Sequence, residues 1–353
     1  MSRILLLSFG FLLISFVGFF IFKNNPFFAN FKMNNQEVKG IKNKATKQTP
    51  SATPTITTIA TSSALPIGKI KMLKDVGEAY MNHFGLTNTD FEQFKKLNVN
   101  LMEGNFDICA TNEDIKYFLD NAHKNNIKVV MPAGSGEAEW SYACNKEPYP
   151  KSQKPVWNKD GVVKFVNKWK FHPAVYAWDT SNEAGSVLPN ANPDTYANML
   201  TLAQIQRAYV DVKAADPSHP IMNRHNGWFY YDDDKNFFKM GNPFTSNVAD
   251  IIMINAYSNV DDYYSDFVSI VMYRSQKAIS EVDPKVKFIV SLGVWNEPPL
   301  WSKPTIKELE TDLTQYKKLK NVEGIAYFKY GAKNSEWYMP QNSPELLPQI
   351  TNN

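Results

Sequence analysis

The chain has 353 residues, 43% hydrophobic and 21% charged, which excludes a wholly disordered or collagen-like protein. Its two cysteines are too few for a disulfide-dense small fold or for a zinc site built from cysteines. The net charge of +3 is unevenly divided, because residues 1–67 carry seven basic residues and one acid, whereas the remainder carries 31 and 34. The two parts are therefore expected to be different kinds of structure.

A long apolar segment lies within the first 25 residues. Residues 4–22 are 19 side chains without a charge, and a helix of that length spans about 28 Å, close to the apolar thickness of a bilayer. The run is longer than that of an ordinary signal peptide, and no small-residue cleavage site follows it. Residues 1–25 are predicted to be a transmembrane anchor, with a cleaved signal peptide as the alternative.

Residues 26–67 are predicted to be a flexible linker, with lysines first and a Thr/Ser/Pro-rich stretch over residues 45–67. Such a stretch cannot bury enough apolar surface to offset the entropy lost on ordering. Linkers of this composition are common between a membrane and an exposed domain, so the domain is expected outside the cytoplasm. The lysines after the apolar segment favour the opposite orientation.

Short apolar runs alternate with helical patterns from residue 68 to residue 353, which indicates parallel strands. The predicted strands cover residues 70–73, 99–102, 128–131, 175–178, 220–223, 250–255, 287–292 and 324–328. The predicted helices cover residues 111–125, 159–170, 194–215, 262–282 and 305–318. Eight such units predict one α/β domain, a (β/α)₈ TIM barrel. A doubly wound open sheet is the alternative, but no glycine-rich phosphate loop follows a strand.

In such a barrel the functional residues lie where the strands end. Acids, amides and aromatic residues follow several predicted strands, including Glu103, Glu183, Asn255 and Tyr257. No His/Cys/Asp spacing typical of a metal site is present, so neither a metal nor another cofactor is predicted.

The fourth unit reads KFHPAVYAWDTSNEAG over residues 170–185. It resembles the "HPAV-x-x-W-x-x-x-NEP" signature of clan A glycoside hydrolases, (β/α)₈ enzymes that include family 5; Ala184 stands where the family usually has Pro. The resemblance implies that Glu183 is the general acid/base and that Asn182 binds a sugar hydroxyl. Residues 214–221, 249–258 and 303–331 resemble later parts of such barrels, so the likeness covers about residues 95–331.

The seventh strand departs from this family. Retaining members carry their nucleophilic glutamate there, and the alignment places Ser291 at that position. Glycosidic cleavage ordinarily uses two carboxyl groups. Besides Glu183, which an apolar barrel mouth would keep protonated, the candidates are Glu297 in the following loop, Glu103 at the end of the second strand, and Asp179, whose position also fits packing within the strand.

Several other residues are candidates for substrate binding. Tyr257 is expected to orient the second carboxylate, and His225 either lines the pocket or is structural. Sugar rings stack on aromatic side chains, and five tryptophans in predicted loops suggest a carbohydrate groove: Trp140, Trp228, Trp295, Trp301 and Trp337. Cys109 and Cys144 follow neighbouring strands and are predicted to form a disulfide in an oxidising compartment.

Two functional hypotheses follow. The first is an extracytoplasmic, membrane-tethered glycoside hydrolase with Glu183 as general acid/base. The second is a non-catalytic carbohydrate-binding barrel, which the missing seventh-strand glutamate favours. The expected partners are a carbohydrate and, through residues 4–22, a membrane. Nucleic acid is excluded as a partner, because the domain is slightly acidic and has no basic stripe.

Overall fold

Eight parallel strands close into a barrel in the computed structural model of the chain. The structure describes residues 70–78, 81–135, 156–183, 200–231, 244–260, 262–297, 301–331 and 343–353. All of them belong to one unit, Ile59–Asn353. With helices between the strands, the predicted (β/α)₈ barrel is confirmed.

The barrel strands follow one another around the barrel in chain order, and the last pairs with the first. They are β1 (Ile70–Val76), β2 (Leu101–Gly104), β3 (Lys128–Pro132), β4 (Val175–Asn182), β5 (Ile221–Asn226), β6 (Ile251–Ala256), β7 (Lys287–Gly293) and β8 (Val322–Phe328). The closure pairs β1 with β8 in parallel, from Ile70 opposite Gly324 to Leu73 opposite Tyr327.

The helices lie between the strands in sequence. They are α1 (Asn88–Lys96), α2 (Asn112–Lys124), α3 (Lys159–Trp169), α4 (Leu202–Ala215), the short α5 (Trp228–Tyr231), α6 (Phe267–Ser280), α7 (Ile306–Tyr316) and α8 (Leu347–Thr351). Short 3₁₀ helices occupy Asn82–Gly85 and Pro344–Leu346, and a small hairpin pairs Asn259–Val260 with Asp262–Tyr263.

All eight predicted strands are present, but several extend further towards the carboxyl end. Strand β4, predicted to end at Trp178, continues to Asn182. Helix α1 was not predicted, and α6 begins at Phe267 rather than at Asp262, because Asp262 belongs to the hairpin. Residues 194–199 of the predicted fourth-unit helix lie outside the described residues.

Side-chain caps start the helices where the sequence predicts them. The hydroxyl of Thr111 accepts a hydrogen bond from the backbone N–H of Asp114 at 3.1 Å, and Thr305 caps α7 in the same way through Glu308. A threonine at this position satisfies one of the N–H groups that the first helical turn leaves without a partner.

Two apolar layers pack on opposite sides of the strands, because successive strand side chains point to opposite faces. The larger layer lies between strands and helices and includes Leu73, Val76 and Trp178. The smaller layer fills the barrel interior: Ile70, Met72, Leu101, Val130, Tyr176, Ala177, Met222, Ile251, Met253, Ile289 and Ala326. The lower barrel is therefore packed with apolar side chains and forms a floor.

The predicted anchor and linker, residues 1–67, lie outside the described residues. Within the part that the structure describes, every helix falls short of the length and apolarity needed to cross a membrane.

Candidate active site

A layer of polar side chains lies above the apolar floor of the barrel. It follows from the two-residue period of the strands: the inward position after Met72 is Lys74, and the one after Met253 is Asn255. The side chains of this layer are buried: Lys74, Glu103, Asp179, Arg224, Asn255 and Ser291. Burying so many polar groups is costly unless they bind one another, so their contacts define the site.

Arg224 on β5 is the central cation of this layer. Its Nε lies 2.8 Å from Asp179 Oδ2, and its Nη1 lies 3.2 Å from Glu103 Oε1 and 3.7 Å from Asp75 Oδ1. Burial and the neighbouring charge of Asp179 raise the pKa of Glu103 well above its ordinary value, although Arg224 opposes this. Glu103 is only 3% exposed, and both it and Asp179 are held by the guanidinium.

Lys74 on β1 is the second buried cation. Its ammonium donates to Asn255 Oδ1 at 2.7 Å and to the Tyr257 hydroxyl at 2.8 Å. Burial, reinforced by the charge of Arg224, lowers the pKa of Lys74 to about 8. Because an ammonium can only donate, it fixes the amide of Asn255 with its oxygen towards Lys74 and its NH₂ group turned away.

That NH₂ group points at Glu183. Asn255 Nδ2 donates to Glu183 Oε1 at 2.6 Å, whereas Asn226 Nδ2 approaches Glu183 Oε2 at only 3.5 Å. Glu183 follows β4 with a left-handed backbone, φ 48°, a conformation that non-glycine residues seldom adopt and that often marks functional sites. Within the described residues, its side-chain hydrogen-bond partners are thus amides, whereas the sequence predicted apolar neighbours.

Aromatic side chains form one wall beside this carboxylate. The ring of Tyr257 packs against Trp295, Trp301 and Phe328, with centroids 4.9, 5.6 and 5.4 Å away. Burial first, and then the negative charges of Glu183 and Asp75, raise the pKa of Tyr257 well above its ordinary value. The phenol therefore stays neutral, and both carboxylates influence it.

The structure thus brings several residues singled out in the sequence to one side of the barrel: Glu183, Asn182, Tyr257, Trp295 and Trp301. Glu297 is next to them in the loop after β7, where it accepts a hydrogen bond from Trp295 Nε1 at 3.2 Å and pairs with Trp301 through the backbone. On β7 itself the inward residue at this height is Ser291, which is fully buried.

Two candidates have other surroundings. His225 is 2% exposed and its Nδ1 lies 2.8 Å from the Tyr230 hydroxyl, and burial lowers its pKa to about 3. It points towards the helices, which agrees with the structural alternative. Trp228 begins α5 and packs on Tyr264 and Phe267.

Three further predicted residues lie outside the described residues. Trp140 and Trp337 therefore remain predicted groove residues. Cys109 follows β2, but its predicted partner Cys144 also lies outside, so the disulfide remains a prediction.

No role was predicted from the sequence for Lys74, Asp75, Arg224 or Asn226, and Asn255 was marked only as an amide at the end of the sixth predicted strand. Part of this cluster could have been noticed in the sequence, because Lys74 and Asp75 stand next to each other within a largely apolar strand, IKMLKDV. The contacts that Lys74 and Asp75 make with Asn255 and Arg224 on other strands could not be predicted from the sequence. Among the described residues, no group of three or more His, Cys, Asp or Glu side chains is arranged to hold a metal ion.

Neither a family model nor a curated protein matches the sequence. Solved structures do resemble the fold. A putative α-L-fucosidase from Bacteroides thetaiotaomicron is 10% identical, with a TM-score of 0.55, over 87% of this chain and 98% of its own. A β-galactosidase from Rahnella sp. R3 is 14% identical, with a TM-score of 0.54, over 82% of this chain and 56% of its own.

A GH2 β-galacturonidase from Eisenbergiella tayi gives a TM-score of 0.50 at 14% identity, over 80% of this chain and 51% of its own. The chain therefore spans about half the length of this protein and of the β-galactosidase. By name all three are glycoside hydrolases. The chain shares their barrel fold, and at these identities the likeness extends to the fold alone.

Proposed function

We propose that the protein is a glycoside hydrolase that cleaves O-glycosidic bonds of a poly- or oligosaccharide, with Glu183 as general acid/base. The observation that carries this proposal is the placement of Glu183. It follows the fourth strand of a barrel, its carboxylate is oriented by two amides, and the aromatic wall of Tyr257, Trp295 and Trp301 lies beside it. Such a wall suits the apolar face of a sugar ring.

The two oxygens of Glu183 have different tasks in this proposal. Oε1 is held by the 2.6 Å hydrogen bond from Asn255, which can only donate because Lys74 fixes the amide. Among the described residues, Oε2 has only the long 3.5 Å contact from Asn226. Oε2 is therefore the oxygen that carries the proton and gives it to the leaving group.

A non-catalytic carbohydrate-binding barrel is the second candidate. One observation favours it: the inward residue of β7 is Ser291, so the described part of that strand offers no carboxylate to act with Glu183. In that case the aromatic wall and the amides would bind a glycan without cleaving it.

The proposal also places the barrel outside the cytoplasm, tethered through residues 4–22 or secreted after cleavage of that segment. The 19 uncharged residues and the Thr/Ser/Pro-rich linker support this placement.

The test is a screen of the full chain, in mild detergent, on β-linked oligosaccharides and polysaccharides. We expect turnover by the unaltered protein and about a 10²–10⁴-fold lower kcat for Glu183→Gln, because general acid–base catalysis contributes that much. Glu92→Gln, an exposed position on α1, serves as the matched control and should retain full activity.

Each outcome separates the candidates. Glycan binding by both Glu183→Gln and the unaltered protein, without turnover by either, would support the binding barrel. Turnover that survives in Glu183→Gln would contradict the acid role.

A further inference from the structure

We propose that Asp75, at the end of β1, is the second carboxylate of the reaction and acts as the general base. This inference rests on the proposed glycoside hydrolase function and deepens it. In this proposal the first strand contributes a carboxylate, whereas retaining clan A enzymes carry their second carboxylate on the seventh strand.

The backbone path of β1 directs Asp75 away from the helices. Ile70 and Met72 point into the barrel, whereas Leu73 packs against the helices. Strict alternation would send residue 75 outwards with Leu73, yet it is Val76 that packs in the outer layer. Two residues, Lys74 and Asp75, therefore separate two outward positions.

The pairing with β2 shows the same extra residue. Leu73 lies opposite Met102 and Val76 opposite Gly104, so three steps on β1 match two on β2. This is a β-bulge, a device that re-aims a side chain and is common next to active sites. Asp75 has φ 47°, close to the φ 48° of Glu183. Both carboxylates therefore belong to residues with a left-handed backbone at the carboxyl ends of barrel strands.

The charge of Asp75 acts on the same buried groups as the charge of Glu183. Asp75 and Glu183 both raise the pKa of Tyr257, and both oppose the lowering of the pKa of Lys74 by burial. The two carboxylates therefore lie close to the same two buried groups. The cluster that they share consists of side chains from β1 and from the residues that directly follow β4 and β6.

The carboxylates around Arg224 differ in their exposure to solvent. Glu103 and Asp179 are 4% and 0% exposed at their side chains and bind Arg224 at 3.2 and 2.8 Å. Asp75 is 27% exposed at its side chain and lies 3.7 Å from the same guanidinium. Of the three carboxylates around Arg224, Asp75 is thus the most open to water and substrate.

Strand order supports this pairing. In the closed barrel β1 lies three strands from β4 on one side, and β7 lies three strands from it on the other. An aspartate is one methylene shorter than a glutamate, so in this proposal a water molecule bridges the Asp75 carboxylate and the sugar. Carboxyl groups separated by a water are the arrangement of inverting enzymes.

The step is hydrolysis. Asp75 takes a proton from the water, the water oxygen bonds to the anomeric carbon, and the glycosidic C–O bond breaks. The departing electron pair stays on the leaving oxygen, which takes the proton from Glu183 Oε2. The products are a hemiacetal of inverted configuration and an alcohol, and proton exchange with solvent restores both carboxyl groups.

The experiment compares Asp75→Asn, Glu183→Gln and the unaltered full chain on two kinds of substrate. With a natural glycan, both variants should lose about 10²–10⁴-fold in kcat. With an aryl glycoside whose leaving group needs no proton, Glu183→Gln should recover most of its activity, whereas Asp75→Asn should not. Glu78→Gln, three residues further along the chain in the loop after β1, should behave as the unaltered protein.

Added azide distinguishes a lost base from a damaged fold. In an Asp75→Ala variant azide should restore turnover of the aryl glycoside and give a glycosyl azide of inverted configuration, because azide needs no base. Full activity of Asp75→Asn, or a product of retained configuration from the unaltered protein, would overturn this inference while leaving the hydrolase proposal intact. Absence of turnover by the unaltered protein on every glycan would overturn both.

Discussion

Lys74 is the residue on which the candidate site depends most. It is 1% exposed, and its ammonium holds Tyr257 and Asn255, the amide that donates to Glu183. It also lies over the rings of Tyr257 and Phe328, 5.5 and 5.3 Å from their centroids. Burying a lysine costs folding free energy, and its two hydrogen bonds, which orient Asn255 and Tyr257, offset part of that cost.

The pKa of Lys74, lowered to about 8 from an ordinary 10.5, gives a pH prediction. Between these values the folded protein has lost the proton that the unfolded chain still binds, so unfolding takes up a proton. The free energy of unfolding should therefore rise with pH across this interval, by up to about 3 kcal/mol, relative to a Lys74→Met variant.

Urea denaturation of both proteins at pH 7.5 and pH 9.5 measures the difference. An equal pH dependence in the two proteins would contradict a lowered pKa. Lys287→Met, at a half-exposed lysine, provides the control, and its pH dependence should match that of the unaltered protein.

At the level of elements, both local capping patterns and tertiary contacts determine where the helices begin and end. Helix α1 is capped through Thr87 and Asp90, a pattern readable in the sequence. Helix α6 is shortened by the hairpin before it, where the Tyr263 hydroxyl donates to Asp312 Oδ1 at 3.0 Å, a contact that no local pattern reveals. Helix α8 is only five residues long and depends on its contacts with the barrel.

One of those contacts gives a stability prediction. The ammonium of Lys71 on β1 donates to the carbonyls of Ile350 and Thr351 at 2.9 and 3.0 Å, and it complements the negative end of α8. Lys71→Met should lower the free energy of unfolding by about 1–3 kcal/mol, because hydrogen bonds to charged groups contribute that much.

Chemical denaturation checks this value. Lys128→Met removes a comparable but exposed contact, to the carbonyl of Pro173, and should cost less than about 0.5 kcal/mol. A loss for Lys71→Met as small as that for Lys128→Met would show that α8 does not depend on this contact.

At the scale of the whole molecule, an acidic barrel follows a basic N-terminal region, and the net charge of +3 describes neither. The proposed placement outside the cytoplasm has a chemical consequence. In an oxidising compartment Cys109 and Cys144 should be joined, and the disulfide would connect the loops after β2 and β3.

Intact mass of protein taken from its native compartment, before and after reduction, tests this prediction. We expect the mass to rise by two hydrogens on reduction. Two free thiols before reduction would count against both the disulfide and export.

Much of the fold was readable from the chain. The alternation of eight apolar runs with helical patterns predicted the barrel, because each run had to be buried on both faces between core and helices. Glu183 and Tyr257 were predicted as site residues because they follow the fourth and the sixth of those runs. The bulge in β1 was not readable, since it depends on the register with β2.

The sequence by itself determined the order of the eight strands, because their apolar runs follow from local periodicity, and the motif in residues 170–185 indicated Glu183 after the fourth strand. Only the tertiary structure decided which side chains meet. Lys74, Arg224 and Asn255 come from different strands, and their partners follow from closure of the barrel. The burial that makes their contacts strong exists only once the strands are assembled.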